Sequence, residues 1–168
     1  MKRHRIFVGK DVHKFSSAHM SLFPDGSKER IHGHNFRVSV SLVVKDTRVE
    51  NMVDFALLKS ALVEQCREWD QRLLLPAQAP SLKVTRQDAT ETEFTFCGKR
   101  YVVPADEVTL LPMTNVVVET LAEGFARAYV KRLGAALRPG VVEAVEVTVT
   151  ESEGQGGVFE ASLDELIS

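Results

Sequence analysis

His32 and His34 stand two residues apart in Ile31-His32-Gly33-His34-Asn35-Phe36, a spacing that on a β-strand sends both imidazoles to one face. His19 ends an earlier segment rich in β-formers, a loop's length before the pair. Segments joined in this way usually lie side by side, which would gather three imidazoles. Three nitrogen donors with an open fourth position form the donor set of a catalytic zinc site. Without a carboxylate cluster, magnesium and calcium are disfavoured. The same residues have a plainer use, because strand histidines are commonly hydrogen-bonded structural groups, and spacing alone leaves both readings open. His4 and His13 fall outside the constellation and read as surface or rim residues.

The elements that must position these side chains are legible from periodicity. Ile6 to His19 reads as a strand, bulged near Gly9, followed by a loop with Pro24, Asp25 and Gly26. From His32 to Val44 one parity is histidine then apolar (His32, His34, Phe36, Val38, Val40, Leu42) and the other polar (Asn35, Arg37, Ser39, Ser41), the pattern of a strand with one buried face. From Asp54 to Asp70 the spacing turns helical, with Phe55, Leu58, Leu62, Cys66 and Trp69 inward and Asp54 as N-cap. A second helix is expected from Val116 to Leu133, capped by Thr114 or Asn115 and ended at Gly134. Between the helices, Leu82–Val84, Phe94–Cys97 and Arg100–Val103 read as short strands, the last two joined at Gly98–Lys99. Val141 to Glu151 reads as a final strand. This order does not alternate strictly, so the expected class is α+β with an antiparallel sheet.

With 168 residues the chain is read as one domain. Its net charge of −2 makes no case for nucleic acid or an anionic membrane as partner. The basic start (Lys2, Arg3, His4, Arg5) leads into no apolar stretch of signal-peptide type, and no apolar run approaches membrane-spanning length. Two cysteines, Cys66 and Cys97, form no CxxC, which suits a reducing compartment. The cytoplasm is the expected location.

The segments Phe15-Ser16-Ser17-Ala18-His19 and His32-Gly33-His34-Asn35-Phe36 strongly resemble the 6-pyruvoyltetrahydropterin synthase and 6-carboxytetrahydropterin synthase family. Three later segments keep the family's order. They are Asn51-Met52-Val53-Asp54-Phe55 with Leu58-Lys59, Leu111-Pro112 with Asn115 and Glu119-Thr120-Leu121-Ala122, and Val147-Thr148-Val149-Thr150-Glu151 with Gly154-Gln155. Only about residues 76–110 look longer than in compact members. The resemblance implies the tunnelling fold, an antiparallel four-stranded sheet with two helices on one face, here with an inserted hairpin. It implies a homo-oligomer, typically a hexamer, with active sites between subunits. It also implies His19, His32 and His34 as Zn2+ ligands, and Glu151 and Glu119 as substrate-binding residues for a small-molecule pterin. Glu151 has an independent case, since it ends an otherwise apolar parity where an unpaired carboxylate would be costly. A glutamate in a first helical turn, as Glu119 is, is favourable through the helix dipole alone.

Four departures shape the functional expectation. The family's catalytic cysteine position holds Lys28, and neither Cys66 nor Cys97 replaces it convincingly. Glu29 follows, giving Glu29-x-x-His32-Gly33-His34, which resembles a branch in which glutamate takes the cysteine's part and the side chain of dihydroneopterin is cleaved to leave 6-hydroxymethyl-7,8-dihydropterin. A partly desolvated Glu29 with a raised pKa would then move the proton. The family's Asp-His pair appears as Asp70-Gln71, leaving Asp70 as the second catalytic candidate without an imidazole partner. The threonine pair that helps recognise the pterin is Val116-Val117. The leading expectation is therefore a zinc lyase on the side chain of dihydroneopterin or its phosphate. A non-catalytic zinc protein holding a pterin or purine-like base, and a zinc hydrolase on a related heterocycle, are the alternatives.

Overall fold

The computed structural model describes residues 3–168; Lys2 of the basic start lies outside them. In chain order the strands are β1 (His4–Val8), β2 (Lys14–His19), β3 (His32–Val44), β4 (Arg72–Pro76), β5 (Leu82–Gln87), β6 (Glu91–Phe96), β7 (Lys99–Pro104), β8 (Val108–Leu111), β9 (Val142–Ser152) and β10 (Gln155–Ser162). The helices are α1 (Phe55–Trp69), α2 (Val118–Leu133) and the short α3 (Leu163–Ile167).

The alternating segment is the centre of the molecule. β3 pairs antiparallel with β9 on one side and with both β1 and β2 on the other. β1 runs from His4↔Val44 to Val8↔Val40 and β2 from Lys14↔Arg37 to His19↔His32, so the two follow one another along the same edge of β3. The single strand expected from Ile6 to His19 is thus interrupted at residues 9–13, and pairing resumes where the Val38 N–H donates to the His13 carbonyl at 2.9 Å. With β10 added beyond β9, the order β10-β9-β3-β1/β2 is the expected four-stranded antiparallel sheet. Two short strands, β4 and β8, extend it in parallel sense past β2.

Parity sets the core. Phe36, Val38, Val40 and Leu42 of β3 meet Val145, Val147 and Val149 of β9 under α1 and α2. α1 contributes Leu58, Ala61, Leu62, Cys66 and Trp69, while Phe55, expected in that stripe, is exposed. Asp54 caps the helix, its Oδ1 accepting from the Ala56 N–H at 2.7 Å and the Leu57 N–H at 3.4 Å. α2 starts two residues later than the apolar spacing suggests. Its cap comes from within, the Thr120 hydroxyl accepting from the Val117 N–H at 3.2 Å and donating to the Asn115 carbonyl at 2.7 Å. Gly134, at φ +49°, ends it as expected. Gly157 of β10 seats the helix start, for a Cβ there would lie 2.8 Å from the Glu119 nitrogen and the Val118 carbonyl carbon.

The inserted hairpin is β6–β7, and β5 completes a separate three-stranded sheet. Its two-residue turn is Cys97–Gly98, both at positive φ, one residue earlier than the sequence suggests and of the hairpin-matching type. This sheet encloses a second core, with Phe94 and Phe96 against Met20, Leu73, Leu75 and Ala79. Among the described residues no helix is long and apolar enough to cross a membrane.

Candidate metal centre

The register that pairs His19 with His32 and Ser17 with His34 brings the three histidines to the end of the helix-covered face, beside Phe36. Ring centroids lie 4.5 Å (His19–His32), 5.3 Å (His19–His34) and 4.9 Å (His32–His34) apart. One nitrogen from each ring falls within 4.8 Å of the others. His19 is the buried floor of the cluster at 3% exposure. His32 and His34 stand toward solvent, with side chains 38% and 27% exposed.

Two of the rings have their tautomer set by a carbonyl, which can only accept. His19 Nδ1 donates to the Val116 carbonyl at 2.9 Å and His32 Nδ1 to the Arg30 carbonyl at 3.0 Å. In both, Nε2 keeps its lone pair. Burial lowers the His19 pKa, and His32 and His34 lower it further against the raising effect of the Val116 carbonyl, so the ring is held neutral. His19 Nε2 is buried and has no hydrogen-bond partner. An unmatched buried acceptor costs about 1–3 kcal/mol, and a metal ion would satisfy it. A histidine that turns one nitrogen to a metal and donates from the other to a backbone carbonyl is the usual arrangement around a bound cation, so the residues present fit one.

Two carboxylates flank the trio. Glu29 Oε2 lies 3.8 Å from His32 Nε2, and Glu151 Oε2 lies 3.8 Å from His34 Nε2. The raised pKa expected for Glu29 is not found. Desolvation does raise it, but hydrogen bonding from Ser21, together with His32 and His19 when they are protonated, outweighs that and holds the carboxyl below its ordinary value. Glu29 is therefore ionised and free to accept a proton, as a weaker base than the sequence suggests. Glu151 shares the core-facing parity of Val149, as its sequence position suggests. Its Oε1 is already engaged, accepting from Gln155 Nε2 at 2.6 Å.

Asp70 and Glu119 stand elsewhere. Asp70 closes α1, and its Oδ1 accepts from the Ser16 N–H at 2.7 Å on the edge of β2. Gln71, at φ +55°, donates its N–H to the Ser16 carbonyl at 2.7 Å. Together they form the rung that starts the parallel pairing of β4 with β2, and among the described residues neither hydrogen-bonds an imidazole. Glu119 is exposed in the first turn of α2, with no side-chain hydrogen bond or ion pair among the described residues. Cys66 is inert as expected, since burial, helped by Asp70, pushes its thiol up to about 12.

Two residues that the sequence does not connect with the histidines hold the site together. The Ser21 carbonyl accepts the Glu29 N–H at 3.0 Å, its own N–H donates to Glu29 Oε2 at 3.2 Å, and its hydroxyl donates to the Val116 carbonyl at 3.1 Å. Asn115 joins the same loop to the start of α2. Its Oδ1 accepts from the Leu22 and Val116 N–H groups at 2.8 and 3.0 Å, and its Nδ2 donates to the Leu22 carbonyl at 3.1 Å. Asn115 appears in the sequence as a helix-cap candidate and within a segment that resembles the family, with no role at the histidines, and Ser21 carries no spacing signal at all.

Comparison with known proteins agrees with this geometry. Residues 9–162 match the family model described as 6-pyruvoyl tetrahydropterin synthase. Over 152 residues the chain is 32% identical to a putative 6-carboxy-5,6,7,8-tetrahydropterin synthase of Methanocaldococcus jannaschii, covering 90% of this chain and 91% of that one. The crystal structure of 6-pyruvoyl tetrahydropterin synthase from Plasmodium vivax superposes with a TM-score of 0.86 at 22% identity, covering 96% of this chain and 99% of the other. A variant of the P. vivax protein, altered to alanine at a glutamate described as a catalytic residue, superposes at 0.85 with 21% identity and the same coverage. The chain belongs to the 6-pyruvoyl tetrahydropterin synthase family.

Proposed function

We propose that this protein is a zinc-dependent lyase that shortens the side chain of dihydroneopterin or its phosphate, leaving 6-hydroxymethyl-7,8-dihydropterin. The observation that carries the reading is the pairing of an unsatisfied, buried His19 Nε2 with an ionised Glu29 fixed 3.8 Å from His32 Nε2. His19, His32 and His34 would hold the ion, which when bound polarises side-chain hydroxyls and lowers their pKa. Glu29 Oε2 takes the proton from the hydroxyl on the second side-chain carbon. The bond between the first and second carbons then breaks, its electrons pass into the dihydropterin ring system, and the same proton returns to the first carbon. Glycolaldehyde, or its phosphate, leaves. Glu151 anchors the pterin's N–H groups, with Gln155 holding the carboxylate in place, and Glu119 assists at the ring's edge. Asp70 acts at one remove, by fixing β2 through Ser16.

The Plasmodium vivax relative offers support, since a glutamate is described as a catalytic residue there. Lys28 stands where the family's thiol is expected, which argues against a 6-pyruvoyl or 6-carboxy product despite the names of the relatives. Assembly as a homo-oligomer, a hexamer by resemblance, and a cytoplasmic location complete the proposal. A second reading, a non-catalytic zinc protein that binds a pterin or purine-like base, draws on Val116-Val117 and Gln71, which supply neither side-chain donors of the family's kind nor a titrating partner.

Zinc-loaded protein incubated with dihydroneopterin, its monophosphate and its triphosphate, with products identified by mass, separates these readings. Hydroxymethyl-dihydropterin with glycolaldehyde or its phosphate is the expected outcome. Pyruvoyl or carboxy products would overturn the lyase assignment, and tight pterin binding without turnover would favour the binder. Glu29→Gln should abolish turnover while zinc stays bound, and full activity in that variant would remove Glu29 from the mechanism.

A further inference from the structure

Lys28 lies in Lys28-Glu29-Arg30, a run that reads as exposed loop charge, yet its ammonium points inward. Nζ donates to the Glu29 carbonyl at 2.9 Å and contacts Met20 Sδ at 3.1 Å. It lies 5.2 Å from the ring centroid of Tyr101 and 5.8 Å from that of Phe96. Those rings come from β7 and β6 of the inserted sheet, and Tyr101 is itself stacked on Phe94 at 5.1 Å. A half-buried ammonium in an apolar cluster is costly unless its hydrogens find acceptors. Here a carbonyl, a thioether and two aromatic faces serve that purpose.

We propose that the inserted sheet β5–β7 is a positioning brace for Glu29, acting through Lys28. This rests on the reading of Glu29 as the proton-moving group. The backbone of Glu29 is pinned from two sides, its N–H by the Ser21 carbonyl and its carbonyl by Lys28 Nζ. Leu22 and Lys28 form a β-bridge that closes the loop behind it. Ser21 ties Glu29 to the metal centre and Lys28 ties it to the second core, so the carboxylate's place depends on both. The Lys28 position thus supports the acid beside it instead of supplying a nucleophile. A cation over an aromatic face gives such a brace direction as well as strength.

The test uses Lys28→Met, which keeps length and apolar packing but removes the ammonium, together with Tyr101→Leu and the double variant, all zinc-loaded. In Lys28→Met, kcat for side-chain cleavage should fall by about 10- to 100-fold, the size of effect expected when a reacting group shifts by an ångström. KM should stay within about twofold and zinc content should not change. Tyr101→Leu should lose less, and should add little in the Lys28→Met background, as partners in one contact do. Hydrogen exchange at the Glu29 amide, which needs no substrate, should quicken in both single variants. Unchanged exchange and unchanged kcat in Lys28→Met would overturn the brace, as would loss of zinc or full additivity with Tyr101→Leu. Glu29→Gln run alongside separates the two ideas. Full activity there defeats the role of Glu29 in catalysis, and the exchange data then decide the brace on their own.

Discussion

Replacing Asn115 with alanine should loosen the metal centre without touching a metal-facing residue. The side chain makes three hydrogen bonds, at 2.8 and 3.1 Å to the Leu22 backbone and 3.0 Å to the Val116 N–H. Each is worth about 1 kcal/mol net. The site is only partly buried, so water recovers some of the loss and the variant should be destabilised by about 2 kcal/mol. For a chain of this size that corresponds to a melting temperature lower by about 4–8 °C. Val116 is the residue whose carbonyl orients His19, so zinc affinity should fall by about tenfold or more, the usual cost of losing a partner behind a metal ligand. The assay is a circular-dichroism melt of chelator-treated protein at one fixed concentration, paired with a zinc titration against a competing chelator. Asn115→Asp, which keeps the acceptor and loses the donor, should fall between. A variant that melts within a degree of the parent and binds zinc equally well would refute the claim that Asn115 positions this wall of the site.

Other consequences follow from the same structure. Asp54→Ala removes the α1 cap and should cost about 1 kcal/mol in equilibrium unfolding, whereas Asp54→Asn should cost little. Gly157→Ala places a carbon 2.8 Å from the backbone at the start of α2, and should destabilise by about 1–3 kcal/mol by overpacking, with a lower melting temperature as the check. The metal-free protein should lose stability as pH falls below about 6.5, the ordinary histidine value. Burial lowers the pKa of His19, and burial with Lys10 and Lys59 lowers that of His13. The unfolded chain therefore takes up protons first, and the loss levels off below the folded values. Urea titrations from pH 7.5 to 5 read this directly. His13→Gln should remove part of the slope, and an unchanged slope would show that His13 does not contribute.

The site was legible where a rigid period carried it. His32 and His34 could be placed on one face because a strand repeats every two residues, and Glu151 because it continues the parity of Val145, Val147 and Val149. The two helices were legible because Leu58, Leu62, Cys66 and Trp69, and Leu121, Phe125 and Tyr129, repeat at helical spacing. Period failed where strands are short or buried on both sides. β4 is Arg-Leu-Leu-Leu-Pro with four buried residues in a row, so it shows no alternation. β10 begins Gln155-Gly156-Gly157 and lies at the sheet edge, where turn-like composition masks a strand. What fixes the metal centre was hidden for a different reason. Ser21 and Asn115 act on backbone groups of residues distant in sequence, and such contacts leave no trace in residue spacing. The same holds for the lowered pKa of Glu29, whose direction depends on the Ser21 hydrogen bonds and the nearby histidines outweighing burial.

The central claim is that one divalent ion is held by His19, His32 and His34. Zinc titration of chelator-dialysed protein, with bound metal counted by mass spectrometry in the parent and in His19→Ala, His32→Ala and His34→Ala, tests it most directly. The parent should bind one zinc per chain and each variant should lose at least a hundredfold in affinity, with His19→Ala still folded by circular dichroism. Retention of one tightly bound zinc in any of the three variants, or no saturable binding in the parent, would contradict it.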